Sequence, residues 1–293
     1  MPRGVPKSGK RAPRGSKKIA RELAEKANMI EVPAESIETD AEIEAKLAER
    51  FSVLEELAMS TVLGDSTALI VSGPAGLGKS FTVERVANDV LNPDQLQSAS
   101  GFVRATGLRR MLYNARHPGN VVILDDADSV WFDDVCLNML KKACDTTERR
   151  VISWMAESLM EDEDGDIIPR QFEFQGSVVF ITNYDFDAMI EKGHRLAPHF
   201  EAMISRAHYI DLAMKTKRDY LVRMRQVVAL GMLSEQGYAA DVETDVMTYI
   251  EENYLGLREL SLRMVLKLAS LRKSRTVEKF TNIANVTCCK ARR

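Results

Sequence analysis

Gly73-Pro74-Ala75-Gly76-Leu77-Gly78-Lys79-Ser80 constrains this chain more than any other stretch. It follows the apolar run Ala68-Leu69-Ile70-Val71 and precedes the helix-like Phe81-Thr82-Val83-Glu84-Arg85-Val86-Ala87. Strand, glycine-rich turn and helix in that order are the context in which a GxxxxGK[ST] loop cradles phosphate. The glycines let backbone N–H groups converge, and the helix N-terminus adds its positive end. Lys79 is then placed to reach the β- and γ-phosphates of a nucleotide, and Ser80 to ligate Mg2+. A chance glycine turn is the competing reading.

The charge is unevenly distributed along the 293 residues. The first 21 hold eight Lys or Arg and no acid, whereas the remainder holds 32 basic and 43 acidic side chains. Residues 1–39 therefore read as a basic disordered tail and linker, suited either to nucleic-acid phosphates or to keeping the chain in solution. A short amphipathic helix is expected within it, from Ile19 to Met29. Cys136, Cys144, Cys288 and Cys289 form no CxxC pair, and the four histidines make no metal motif. A reducing compartment and no structural zinc are expected. No apolar run is long enough to span a membrane, and no secretory signal is evident, so a cytoplasmic location without membrane contact is expected.

The apolar pattern predicts a helix over Asp40–Leu57, packed on the nucleotide domain or offered to a partner, and then alternating strands and helices. The strands expected are Ala68–Val71, one around Phe102-Val103, Val121–Leu124 and Val178–Thr182; the helices run from the loop to Val90, Leu108 to Arg116 and Val135 to Cys144. Apolar strands separated by helices indicate a parallel sheet covered on both faces, an α/β fold. Arg150–Trp154 and Gln171–Phe174 predict an inserted hairpin over about 150–174, whose acidic run Glu161–Asp166 reads as a solvated turn rather than a metal site. Helices over Asp219–Leu233, Asp241–Tyr254 and Leu260–Arg272 predict a small helical domain. The expected organisation is an α/β domain over 40–213, a helical lid over 214–275 and a basic C-terminal tail over 276–293.

Hydrolysis of a nucleoside triphosphate needs a metal near the phosphates and a positioned water. Asp125 ends an apolar strand and is placed to hold Mg2+; Asp126 is the candidate base. Two helix-capping aspartates are the plainer reading of this pair, and Asp128 reads as a local cap. Asn183 ends a neighbouring strand, where its amide could orient the water or merely make a turn. Arg206, just before Tyr209-Ile210, could stabilise γ-phosphate charge from a neighbouring subunit or be an ordinary surface arginine. Arg263, or else Arg258, could reach phosphate from the helical domain.

Together these residues resemble the AAA+ ATPase family across roughly residues 40–275. Gly73–Ser80 matches its Walker A motif, Val121–Asp126 its Walker B motif, Asn183 sensor 1, Arg206 the arginine finger and Arg263 sensor 2. The resemblance implies ATP and Mg2+ as cofactors, Phe81 as a further nucleotide contact beside the loop, a helical lid, subunit-shared sites and a homo-oligomer, usually a hexamer. The hairpin before sensor 1 resembles the branch of helicases, enhancer-binding activators and protein unfoldases. The motif wording also resembles ATPases of large tailed bacteriophages, implying a host cytoplasm. Asp126 stands where the family usually has Glu, which leaves room for slow hydrolysis. Phe102 and Arg104 lie near the family's first pore loop, although Phe102 reads equally as core; Trp154 and Arg150 are weaker candidates for substrate contact. Three functions follow as expectations. The first is an ATPase ring acting on nucleic acid through its basic tail and pore. The second is a protein-remodelling chaperone, with or without an adaptor. The third is a nucleotide-dependent scaffold with little hydrolysis.

Overall fold

The computed structural model describes residues 38–155, 160–162 and 165–290. The basic segment, its expected helix at 19–29 and part of the acidic turn lie outside the described residues. Helix α1 (Asp40–Val62) opens with Asp40 and Glu42, acids that complement the positive helix N-terminus. It buries Ile43, Leu47, Phe51, Leu54, Ala58 and Val62, so its stripe runs past the expected end at Leu57. That stripe packs on the nucleotide domain, against α2 (Lys79–Val90), whose Val83, Val86 and Ala87 share its core.

Five parallel strands form the main sheet: β1 (Ala68–Ser72), β2 (Leu96–Ser100), β3 (Val121–Asp125), β6 (Ser177–Thr182) and β7 (His208–Asp211), ordered β2-β3-β6-β1-β7. The apolar runs of β1, β3 and β6 are continuous because both of their faces are covered. Ile70, Val122, Leu124, Val178 and Phe180 face one core, with α3 (Ala105–Asn114), α4 (Asp134–Ala143), Trp131 and Phe200. Leu69, Val71, Val121, Ile123, Val179 and Ile181 face the other, beneath α1 and α2. Alternation along each strand thus assigns successive residues to opposite layers.

The strand expected at Phe102-Val103 is displaced. Strand β2 lies earlier, over the polar Leu96-Gln97-Ser98-Ala99-Ser100, half-exposed at the sheet edge and therefore without an apolar run. Phe102 sits in the following loop and is 73% exposed, so it is not a core residue. The inserted hairpin is present as β4 (Val151–Ser153) paired antiparallel with β5 (Gln171–Glu173). Trp154 and Arg150 serve this insertion rather than facing a substrate. Arg150 is buried, donates to the Ala143 carbonyl at 2.7 Å and lies over Phe174. Trp154 packs on the core beneath the guanidinium of Arg109, which itself donates to Pro169 at 2.6 Å. At the turn, the Asp166 N–H donates to the Asp162 carboxylate at 2.9 Å.

Between β6 and β7 run α5 (Phe186–Glu191) and α6 (Ala197–Ile204). The remaining helices are α7 (Lys217–Ala229), α8 (Met232–Glu235), α9 (Ala240–Asn253), α10 (Leu262–Arg272) and α11 (Val277–Thr287). The single helix expected over Asp219–Leu233 is broken at Gly231, whose left-handed backbone (φ 99°) starts α8. The segment expected as a C-terminal tail is also corrected. Helix α11 buries Phe280 and Ala284 in the core of this helical group, and Leu257 bridges to Cys289 beyond it. The basic residues on either side of α11 hid this from a composition argument, since the helix itself carries only Glu278 and Lys279 as charges. All four cysteines are free, and burial pushes the Cys136 and Cys144 thiols up to about 12. Among the described residues no helix is long and apolar enough to cross a membrane.

Gly176 shows how tightly β6 is seated. A Cβ there would stand 2.3 Å from the Ala115 carbonyl oxygen and 2.7 Å from that of Asn120. Backbone on both sides cannot yield, so Gly176→Ala is expected to destabilise the fold by about 1–3 kcal/mol or more. Gly107, inside α3 with open space around it, is expected to gain roughly 0.4–1 kcal/mol on replacement by Ala. Thermal melts of the two variants check both signs.

Candidate nucleotide site

Parallel pairing brings three strand ends together. Ser72 lies beside Thr182, and Asp125 beside Ile181, so the glycine-rich loop, Asp125-Asp126 and Asn183 emerge from one edge of the sheet. The carboxyl edge of a parallel sheet is where α/β folds bind ligands. Gly78 caps α2 with φ 97°, and Gly76 has φ 75°, backbone that a side chain would strain. Gly76 must also be small because a Cβ would meet Ser261 Cβ at 2.6 Å. The start of α10 presses directly on the loop there, and the Leu262 N–H donates to the Gly76 carbonyl at 2.8 Å.

Lys79 is buried in the first turn of α2. Its ammonium spends all three donors, on Gly73 O (2.5 Å), Pro74 O (2.9 Å) and Asn183 Oδ1 (3.0 Å). Burial holds its pKa below the ordinary lysine value, opposed by the charges of Asp126 and Asp125. The Asn183 amide continues the chain, donating through Nδ2 to Asp126 Oδ1 at 2.8 Å. Asp126 is the one non-glycine residue with positive φ (49°) among the described residues, and its N–H is tied to Ile181 O at 2.9 Å. Aspartate is among the few side chains that tolerate this left-handed region.

Ser80 Oγ donates to Asp125 Oδ1 at 3.0 Å. Two hard oxygens side by side at the loop fit Mg2+, which favours few protein ligands plus water and phosphate. Among the described residues there is no group of three or more His, Cys, Asp or Glu that would make an all-protein metal cage. Asp128 is not a helix cap as expected: its carboxylate accepts from Thr182 Oγ1 at 2.6 Å and pins the end of β6.

A cavity of about 610 Å³ opens over the loop, a volume suited to a small-molecule ligand. Ala75, Gly76, Gly78, Lys79, Ser80 and Phe81 line it, with Asp126 and Asn183 opposite and Arg263 on the helical side. Gly73, Pro74 and Leu77 shape the loop from behind, Leu77 being buried. Arg258 is not among the lining residues; it is exposed, and its backbone N–H bonds Cys288 O at 2.9 Å. Arg206 is likewise absent from this cavity. Its Nη1 folds back onto Ala202 O at 2.6 Å at the end of α6. Phe102 and Arg104 lie away from the cavity on the loop after β2, the guanidinium carbon 5.8 Å from the ring centroid. Sequence reasoning missed Arg223, Val227 and Leu266, which complete the helical wall. The i, i+4 spacing of Arg223 and Val227 on α7 was the available signal.

Burial raises the pKa of Asp125, with the Ser80 hydrogen bond opposing and Asp126 adding to the rise. A carboxyl whose folded pKa lies above its unfolded value destabilises the fold once ionised. Asp125→Asn keeps the acceptor for Ser80 and removes the charge. It is expected to raise the melting temperature of the nucleotide-free chain at pH 7 and to abolish metal-dependent turnover. The thermal gain should shrink as pH falls and vanish below the unfolded value of 3.8, as melts across pH will check.

Residues 69–201 match the family described as ATPases associated with various cellular activities (AAA). An uncharacterised 36.7 kDa protein of Enterobacteria phage T4 is 34% identical over 236 residues, covering 79% of this chain and 71% of that protein. Among solved structures, the RuvB Holliday junction branch migration motor of Thermotoga maritima aligns with TM-score 0.46 and 12% identity, over 83% of this chain and 68% of that one. NtrX from Brucella abortus in complex with ATP aligns with TM-score 0.39 and 13% identity, over 90% of this chain and 60% of that one. With its phosphate loop, paired aspartates and strand-end asparagine assembled at one sheet edge, the chain belongs to the AAA family and is an ATPase.

Proposed function

We propose that this ATPase works as a homo-oligomeric ring, usually six subunits in this family, that couples Mg2+-dependent hydrolysis to remodelling or translocation of nucleic acid. The observation that carries the polymer-handling part is Phe102. It is an exposed aromatic ring at a loop tip, flanked by the Arg104 cation. A base stacks on such a ring, and a phosphate pairs with such a guanidinium. The eight basic residues near the N-terminus, without one acid among them, support the same polymer. An exposed phenylalanine also suits an extended polypeptide, so protein remodelling is the second reading. The likeness to a phage T4 protein supports a phage setting and hence the host cytoplasm.

Within each subunit we assign the α/β domain to 40–213 and the lid to the helices from α7 through α11. Lys79 exchanges its loop carbonyls for phosphate oxygens. Ser80 and Asp125 hold Mg2+, which when bound neutralises phosphate charge. Asp126 accepts the proton of the attacking water, and Asn183 orients that water while steadying the Asp126 carboxylate. Arg263 approaches from the lid. Arg206, turned away from its own subunit's cavity, completes the site of a neighbour.

Steady-state ATPase activity is expected to rise with single- or double-stranded DNA at low salt, to lose that stimulation at moderate salt, and to disappear in Lys79→Ala. Turnover indifferent to DNA but raised by an unfolded polypeptide would establish the second reading instead. Arg206→Ala alone is expected to lose on the order of 10³-fold in turnover. Mixing it with Lys79→Ala should restore part of the activity, since each supplies what the other lacks. Failure of the mixture to recover would remove the shared-site assignment.

A further inference from the structure

Arg223 is a buried cation with too few partners. It sits on α7 at 8% exposure, its guanidinium carbon 3.3 Å from the centroid of the Phe51 ring. Its Nε is buried without a hydrogen-bond partner, and Nη1 meets Gln226 Oε1 only at 3.5 Å. Among the described residues no carboxylate pairs with it. Glu55, the charge that acts on it, is already engaged by Arg85. Burial holds its pKa down to about 10, so it remains a cation at neutral pH. Burying a charge in this way is costly unless something answers it.

The guanidinium faces the nucleotide cavity. Its Nη2 lies 3.9 Å from where a Cβ on Gly78 would stand, beside a Leu262 methyl carbon at 3.4 Å. Away from the loop the cavity is lined by apolar Val227, Leu230 and Leu266 together with polar Glu235 and Gln236, while Glu55 and Arg85 line it as an ion pair. The polar end of the cavity, at Lys79, Asp126 and Asn183, has its own arginine. Arg263 is the one whose charge acts on Lys79 and Asp125. A nucleotide with its phosphates at the loop leaves its sugar and base for the rest of the cavity, beside the helical wall that carries Arg223.

Resting on the nucleotide-site reading above, we propose that Arg223 is a specificity-determining residue that donates hydrogen bonds to acceptor atoms of the base-bearing end of the nucleotide, not to its phosphates. Stacking on Phe51 fixes the plane of the guanidinium and so the direction of its donors. A purine edge offers ring-nitrogen acceptors, and guanine and adenine differ in what stands beside N7. Base preference is thereby read by a lid residue, and a triphosphate alone does not engage it.

The test measures dissociation constants of ATP, GTP and inorganic triphosphate for the full chain and for Arg223→Leu, Arg223→Lys and Lys79→Ala. Arg223→Leu is expected to weaken ATP by about ten-fold or more, to change the ATP-to-GTP ratio, and to leave triphosphate affinity unaltered. Arg223→Lys keeps the charge but not the planar fork, so it should behave like Arg223→Leu. Thermal melts confirm that both variants are folded, which is expected because removing an unanswered buried cation costs the fold little. Equal weakening of ATP and triphosphate, full affinity in Arg223→Lys, or no change in any ligand would each overturn the proposal. Lys79→Ala separates the two levels: it should weaken all three ligands, and if it does not, the nucleotide-site reading itself is wrong.

Discussion

Parallel pairing of β6 between β1 and β3 is the constraint on which the site depends. It sets the loop after β1, the aspartates after β3 and Asn183 after β6 side by side, with no side chain needing to reach across the sheet. The pairing works only because all three strands are apolar on both faces and are sandwiched between helices. From it follows the chain of contacts from the loop carbonyls through Lys79 and Asn183 to Asp126. In that chain the lysine is held ready by neutral acceptors, which phosphate oxygens can replace. The left-handed backbone at Asp126 belongs to the same arrangement, since its N–H bonds the β6 carbonyl of Ile181.

The helical group meets the sheet domain along α1, where Val222 and Tyr220 share a core with Ile43, Leu47 and Phe51, and at the nucleotide loop. Ser261 and Leu262 close on Gly76 and Gly78, and Arg223 stacks on Phe51 beside them. Further contacts lie along α1: Asp40 engages Arg218 and Arg225, Gln226 donates to Glu44 O at 2.6 Å, and Arg50 donates to Ala213 O at 3.0 Å. Exposed ion pairs of this kind contribute little each. The apolar packing of α7 on α1 and the contacts at the loop therefore hold the joint.

Much of the fold was legible because apolar periodicity reports burial. The runs at β1, β3 and β6 are apolar on both faces, and the stripe of α1 has unmistakable helical spacing. Edge elements were not legible for the same reason. Half-exposed β2 carries serines and glutamine, β7 buries Ile210 alone, and α11 shows the core only Phe280, Ala284 and little else. Phe102 and Trp154 illustrate the converse: an aromatic residue has no address in sequence, and packing left one exposed and the other beneath Arg109.

The sequence by itself determined the phosphate loop, the paired aspartates and the alternation of strands and helices, because each is a local pattern whose chemistry depends on neighbours in the chain. Tertiary structure decided which arginines line the cavity, placing neither Arg206 nor Arg258 there and adding Arg223 to the Arg263 that the sequence suggested. Arg206, Arg223, Arg258 and Arg263 look alike as residues, and only the packing of α7 and α10 against the loop brings Arg223 and Arg263 to the cavity while leaving the other two away from it. A long flexible cation gains its role from what desolvates and orients it. Those groups, Phe51 above all for Arg223, lie far away along the chain.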